Sequence, residues 1–230
     1  MQKVINMATE HDWKPLYKAG GIALAAMVGI ILIQMFVFMS APPPYEGSAL
    51  DWFELFQTNS LIGLVNFEVL MVVYVILSLL PTLALSALHR NTSPSFMAIY
   101  LALSLVGVMS FIVARPAFEM QAISNGYAAA ATDAQRAAFL AAGEMMLATF
   151  HGTAFQVSYV LGSLSGLIIS LVMLKANLFG RTTAWLRIAS SICDFGLYIP
   201  VVGLYISLFS VFFLLAWNIL VARRLFQLAR

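Results

Sequence analysis

The residues of this sequence that could do chemistry are ionisable side chains placed within or beside apolar stretches. Six positions share this property: Glu68, Arg115, Glu119, Glu144, His151 and Asp194. A charged side chain at the centre of a bilayer costs about 2.5–3.5 kcal/mol on insertion scales, so such residues usually face a bundle interior or a water-filled cavity. We therefore expect the six to form an outward-facing polar pocket that binds or passes a small ligand, a proton or a cation.

The balance of charge in this expected pocket is negative. Four carboxyl groups accompany one arginine, and they cannot all stay ionised at close range in a dry site. To relieve the excess negative charge, the pocket would therefore need a protonated carboxyl group, water that enters from outside or a bound cation. The structural alternative is an ion pair that only ties helices together. Arg115 and Glu119, four residues apart, have the spacing for a pair on one helix face.

Known catalytic and metal-binding patterns are missing from the sequence. It contains no P-loop, G-x-G-x-x-G, G-x-S-x-G or H-E-x-x-H pattern. A metal site usually takes three or four ligands, and His151 is the only histidine among the six positions. We therefore expect no metal, no cofactor and no catalytic residue, and an intramembrane enzyme is the least favoured function.

Small residues recur every four positions on one predicted helix. They are Ser158, Gly162, Gly166 and Ser170. Small side chains at this spacing let two helix backbones approach closely in a membrane. We interpret the four as helix-packing residues, whose partner is a helix of this chain, a second copy or another membrane protein. This pattern supports the alternative function, an accessory or assembly subunit that acts through helix–helix contacts.

The elements that must position these residues are membrane helices, because the composition excludes a soluble domain. Of the 230 residues, 62% are hydrophobic and 10% charged, against about 45–50% and 25% in soluble proteins. The net charge of +2 is small and dispersed, which excludes nucleic acid as a partner. The lipid bilayer is the expected partner.

Six stretches approach the length of about 20 apolar residues that a spanning helix needs. They are residues 17–40, 61–88, 95–121, 153–176, 182–199 and 201–222. With six crossings, ten of the twelve Lys and Arg residues fall on one side, which predicts that both termini are cytoplasmic. The expected fold is all-α, a single membrane domain over residues 1–230. The stretch 182–199 is the shortest and carries two charged residues.

Local signals predict a kink and two short extracytoplasmic helices. Pro116 should kink the third span beside Arg115, since proline removes a backbone donor and clashes with the preceding turn. Ser48 should cap a helix over residues 48–57, whose aromatic residues suit the headgroup boundary. Thr132 and Gln135 form a capping box for a helix over 133–150. That helix either lies on the outer surface or runs straight into the fourth span.

Several phrases of the sequence resemble one family together. They include LDWFELFQTNSLIGL, RPAFEM, NGYAAAATDAQRAAFLAAGE, GTAFQVSYVLGSL and LFSVFFLLAWNILVARRLFQL. Over roughly residues 45–229 the chain resembles an uncharacterised family of bacterial multi-spanning membrane proteins, known as a domain of unknown function. The resemblance implies a compact helical bundle in the bacterial cytoplasmic (inner) membrane. It implies no activity and no catalytic residue.

Overall fold

The computed structural model describes residues 13–230, and every regular element in that range is helical. The α-helices, numbered here in chain order, are α1 (Lys14–Ser40), α2 (Ala49–Thr58), α3 (Ser60–Asn66), α4 (Val69–Leu77), α5 (Leu79–His89), α6 (Pro94–Val113), α7 (Ala117–Ala129), α8 (Asp133–Phe150), α9 (Thr153–Ala176), α10 (Arg181–Phe195) and α11 (Gly203–Leu228). A 3₁₀ turn, Gly196–Tyr198, follows α10. The predicted all-α class is confirmed for this part of the chain.

Five helical segments in the described range are long and apolar enough to cross a membrane. They are Lys14–Ser40, Val69–His89, Pro94–Ala129, Asp133–Ala176 and Tyr205–Leu228. These segments include five of the six predicted spans, at least in part. The remaining stretch, 182–199, corresponds to α10, which has 15 residues, and the turn after it. A helix of that length rises only about 22 Å.

The chain divides into two compact units whose boundaries fall inside α1, α4, α6 and α9, so no linker separates them. The first unit comprises residues 1–29, 76–108 and 159–230, of which residues from 13 onward are described. The second unit comprises residues 30–75 and 109–158.

The first unit is built on close helix–helix packing around small residues. A Cβ on Gly20 of α1 would lie 3.1 Å from Ala84 Cβ and 3.2 Å from Leu225 Cδ1, so α1 approaches α5 and α11 closely. Leu85 and Leu225 are completely buried there. Between α10 and α11, a Cβ on Gly203 would lie 2.5 Å from the Gly196 carbonyl oxygen. This tight hairpin therefore depends on glycine at position 203.

The second unit has an aromatic core. Trp52, Phe53 and Phe56 of α2 are 1–3% exposed and pack with Phe67 and Phe150. The Trp52 ring meets the Phe67 ring edge-on at 4.9 Å, an arrangement that aromatic pairs favour. These three rings are enclosed by protein, so they form part of the core of this unit.

Helix α8 begins and ends at recognisable signals. The Thr132 hydroxyl accepts from the Gln135 N–H at 3.2 Å, and the Gln135 side chain accepts from the Thr132 N–H at 3.3 Å. The predicted capping box is therefore confirmed. The helix ends at Phe150, and His151 and Gly152 separate it from α9. Gly143 lies within α8, where a Cβ would be 2.7 Å from Ala49 Cβ, so this glycine allows α8 to contact α2.

Candidate functional site

Three helix breaks supply the backbone of the candidate site in the second unit. Phe67 and Glu68 separate α3 from α4, residues 114–116 separate α6 from α7, and His151 with Gly152 separates α8 from α9. A helix end leaves its last carbonyl groups without partners in the helix, so each break requires donors from elsewhere. The break at 114–116 is the one predicted from Pro116.

The guanidinium of Arg115 supplies donors to two of these breaks. Its Nη1 donates to the Ala114 carbonyl at 3.1 Å and to the Phe150 carbonyl, at the end of α8, at 3.0 Å. Its Nε donates to Glu68 Oε2 at 2.7 Å. Arg115 is 7% exposed. One buried cation therefore links the ends of two helices to the acid at the third break.

Aromatic rings enclose the same guanidinium. Its central carbon lies 4.5 Å from the ring centroid of Phe111, 4.1 Å from that of Phe150 and 4.8 Å from that of Phe155. A cation over an aromatic face is attracted by the ring quadrupole, most strongly where water is excluded. The rings therefore stabilise the positive charge and hold the guanidinium plane in place.

Glu68 occupies a strained position and has protein partners on both carboxylate oxygens. Its φ of 63° is left-handed, which costs a non-glycine residue about 1–2 kcal/mol. Oε2 accepts from Arg115, and Oε1 accepts from the Tyr45 hydroxyl at 3.1 Å. The Glu68 side chain is 17% exposed. Strained residues persist where neighbours fix them, and here Arg115 and Tyr45 do so.

Tyr45 and His151 form the accessible rim of the site. Tyr45 is 42% exposed, and its ring centroid lies 6.3 Å from that of His151, which is also exposed. Partial burial, and then the neighbouring Glu68 carboxylate, raise the pKa of the Tyr45 hydroxyl far above its ordinary value of 10. The hydroxyl therefore stays protonated and donates to Glu68. We call Tyr45, Glu68, Arg115 and His151 the Arg115 cluster.

The other three predicted acids lie outside the Arg115 cluster. Glu119 is exposed, and the expected pair with Arg115 is wrong: the break before α7 interrupts the helix, and Arg115 pairs with Glu68. Glu144 accepts from the Ala49 N–H at 2.8 Å and so caps α2. Asp194 belongs to the first unit, where it accepts from the Ser163 hydroxyl at 3.4 Å.

The charge of the cluster is consequently balanced rather than negative. Glu68 contributes one negative charge and Arg115 one positive charge, and they are paired directly. The excess of acid that would require a bound cation is not assembled around Arg115. Within residues 13–230, no group of three or more His, Cys, Asp or Glu side chains is arranged to hold a metal ion.

Two members of the site were not singled out from the sequence. Tyr45 follows three prolines in an apolar-to-loop transition, and nothing in its spacing indicates a partner at position 68. The Phe150 carbonyl is a backbone atom, so its role depends on where α8 ends. Gly152, which follows the C-cap residue His151, is a local signal near that end.

The small residues of α9 have different environments. A Cβ on Gly166 would lie 2.5 Å from Ser191 Oγ and 2.6 Å from Arg187 Nε, so α10 of the same chain packs here. Gly162 has no atom within 4 Å of its Cβ position. Ser170 is completely buried, and its hydroxyl donates to the Gly166 carbonyl at 2.6 Å. In the second unit, the Ser158 hydroxyl donates to the Phe155 carbonyl at 2.7 Å.

Comparisons with protein-family models, curated proteins and solved structures found no match to this chain. The composition and the described fold define only a broad class: an apolar protein that is helical over residues 13–230 and has, in that range, five helical segments long and apolar enough to cross a membrane.

Proposed function

We propose that the chain is a multi-pass protein of the bacterial cytoplasmic membrane that binds a small ligand at the Arg115 cluster, on the outward-facing side. The composition and the five long apolar segments support the membrane location. The asymmetry of Lys and Arg supports cytoplasmic termini. In this topology α10 and the turn after it form the fifth of six spans, and α2 and α8 are extracytoplasmic helices.

The observation that carries the ligand proposal is the geometry of Glu68. Arg115 donates a hydrogen bond to one oxygen of the carboxylate. The other oxygen accepts from the hydroxyl of Tyr45, a half-exposed residue. A ligand that carries a hydrogen-bond donor can replace Tyr45 on Oε1 without disturbing the ion pair. His151 and the aromatic rings beside it would contact the remainder of the ligand.

The charge balance favours a small neutral or weakly basic ligand over a metal cation. A cation approaching Glu68 meets the positive charge of Arg115 directly behind the carboxylate, which weakens the net attraction. The proposed ligand class is therefore a small molecule with a donor N–H or O–H group.

Thermal stability of the purified protein in detergent tests this proposal. A panel of small amines, imidazoles and polyols is screened for compounds that raise the melting temperature. The shift should disappear in Glu68→Gln and persist in Glu119→Gln, a matched carboxylate change outside the cluster. The Glu68→Gln and Arg115→Met variants could instead be less stable and yet show the same rise in melting temperature with the compound. That result would show that the ion pair is purely structural.

A second candidate function is an accessory or assembly subunit, and Gly162 favours it. Its Cβ position faces open space, whereas Gly166 is already covered by α10. A helix of a second copy or of another membrane protein could therefore pack at Gly162. Light scattering in detergent should show loss of a complex in Gly162→Leu but not in Gly29→Leu, a glycine that also faces open space. An unchanged complex in Gly162→Leu would count against this function.

A further inference from the structure

An open groove of about 540 Å³ runs along α1 and α11 in the first unit. Its apolar wall includes Ala25 and Val28 from α1 and Ile219 and Phe226 from α11. Its cationic part includes Arg223 and Arg230, both exposed. Among residues 13–230, none of those that line this groove is acidic. The groove is separate from the Arg115 cluster, and nothing in the proposed ligand site uses it.

Helical spacing explains why the charges and the apolar side chains share one face. On α11, Ile219, Arg223 and Phe226 are separated by four and three residues, which places them in a stripe of about 60°. Arg230 follows shortly after the helix end at Leu228. The distance along the axis from Ile219 to the helix end at Leu228 is about 14 Å. Apolar and cationic side chains therefore alternate along this face of the groove, and Arg230 lies at its far end.

Helix α1 runs antiparallel to α11 and extends the same pattern. The Lys14 ammonium donates to the Arg230 carbonyl at 3.0 Å, and a Cβ on Gly21 would lie 2.9 Å from the Phe226 ring. Lys14, Lys18, Ala25 and Val28 fall in an arc of about 80° on α1. Lys14, Lys18 and Arg230 consequently lie toward one end of the groove, and Ala25, Val28 and Ile219 lie toward the other. Arg223 is placed between Ile219 and Phe226.

We propose that this groove binds an anionic phospholipid. The phosphate would be held by Arg223 and Arg230, since guanidinium groups bind phosphate oxygens through paired hydrogen bonds. An acyl chain would lie along Ala25, Val28 and Ile219. A basic pocket between membrane helices next to an apolar wall is the arrangement that recognises anionic headgroups. The apolar wall is what favours a lipid over a free phosphate ion.

Native mass spectrometry of the full chain in detergent tests the proposal with phosphatidylglycerol and phosphatidylcholine as probes. The wild type should retain phosphatidylglycerol preferentially. Arg223→Gln/Arg230→Gln should lower its apparent affinity about tenfold or more, given the contribution of each basic residue. The matched control, Lys175→Gln/Arg181→Gln, removes the same charge from the ends of α9 and α10, outside the groove, and it should change affinity less than about twofold.

A steric variant distinguishes lipid binding in the groove from attraction of the lipid by general surface charge. Ala25→Trp fills the exposed apolar wall and keeps every cation, so it should also weaken phosphatidylglycerol binding. Equal losses in the groove and control charge pairs would overturn the proposal, as would unchanged binding in Ala25→Trp. Inorganic phosphate should not displace the lipid, and full displacement by phosphate would show a site for a free anion. Both groove variants change exposed positions, and an unchanged melting temperature would verify their folding.

Discussion

The ion pair of Arg115 with Glu68 should be strongly coupled, and Arg115→Met tests this coupling most sharply. The substitution removes the cation that Glu68 Oε2 contacts at 2.7 Å and the donor to the Phe150 carbonyl. Breaking a buried pair on one side costs about 3–5 kcal/mol, because the remaining charge is left unpaired. The Glu68 side chain is 17% exposed, so water relieves part of that cost. We expect a loss of about 3 kcal/mol in the free energy of unfolding.

A double-mutant cycle isolates the interaction from other effects of the substitution. Glu68→Met also removes one partner, whereas Arg115→Met/Glu68→Met replaces the whole pair with apolar side chains. Such replacements are often neutral, so the double variant should be more stable than Arg115→Met alone. The expected coupling is about 2 kcal/mol or more, since contacting residues in one network show coupling of about 0.5–3 kcal/mol.

The assay is SDS-induced unfolding in mixed micelles, followed by tryptophan fluorescence. Trp52 lies in the core of the second unit and should report its unfolding. Glu119→Met is the matched control, since Glu119 is exposed and surface substitutions usually stay within about 0.5 kcal/mol. Coupling below about 0.5 kcal/mol would refute the reasoning, as would equal losses in Arg115→Met and Glu119→Met.

Three further changes should have smaller effects. Tyr45→Phe should lower the free energy of unfolding by about 1 kcal/mol at neutral pH. Because folding raises the pKa of this hydroxyl, its contribution to stability is complete below the unfolded-state pKa near 10 and is lost as pH rises above it. Ultraviolet titration of the folded protein should accordingly detect as many ionising tyrosines in Tyr45→Phe as in the wild type, and one fewer would contradict the assignment. Glu144→Gln, which weakens the cap on the Ala49 N–H, should cost about 1 kcal/mol in SDS unfolding, and no change would show that the cap is unimportant. Gly166→Val should lower the free energy of unfolding by about 1–3 kcal/mol through overpacking against α10. Gly162→Val should lower it less, because the Cβ position of Gly162 faces open space. The reverse order would contradict this packing.

Much of the fold follows from local signals, each of which involves only residues close together in the sequence. The apolar runs predict the long helices, and the Thr132–Gln135 capping box predicts where α8 begins. Pro116 predicts the break beside Arg115. Each of these features depends on neighbouring residues, so the sequence is sufficient to find it.

The contacts of the site depend on distant residues and could not be predicted in the same way. Glu68 carries no local signal for a break, since left-handed φ values are usually marked by glycine or asparagine. Its pairing with Arg115 joins residues 47 positions apart. The local spacing favoured Glu119 instead, and only the end of α6 at Val113 removes that option. The burial of Trp52 likewise depends on contact with Phe67, which lies at the break between α3 and α4.

The most direct test of the central claim is a density map of the protein in lipid nanodiscs at a resolution that shows side chains. It should show the Arg115 guanidinium joined to the Glu68 carboxylate and the Phe150 carbonyl, with the Tyr45 hydroxyl on the other carboxylate oxygen. A map in which Arg115 extends to Glu119 or into lipid, with Glu68 unpaired, would contradict the claim.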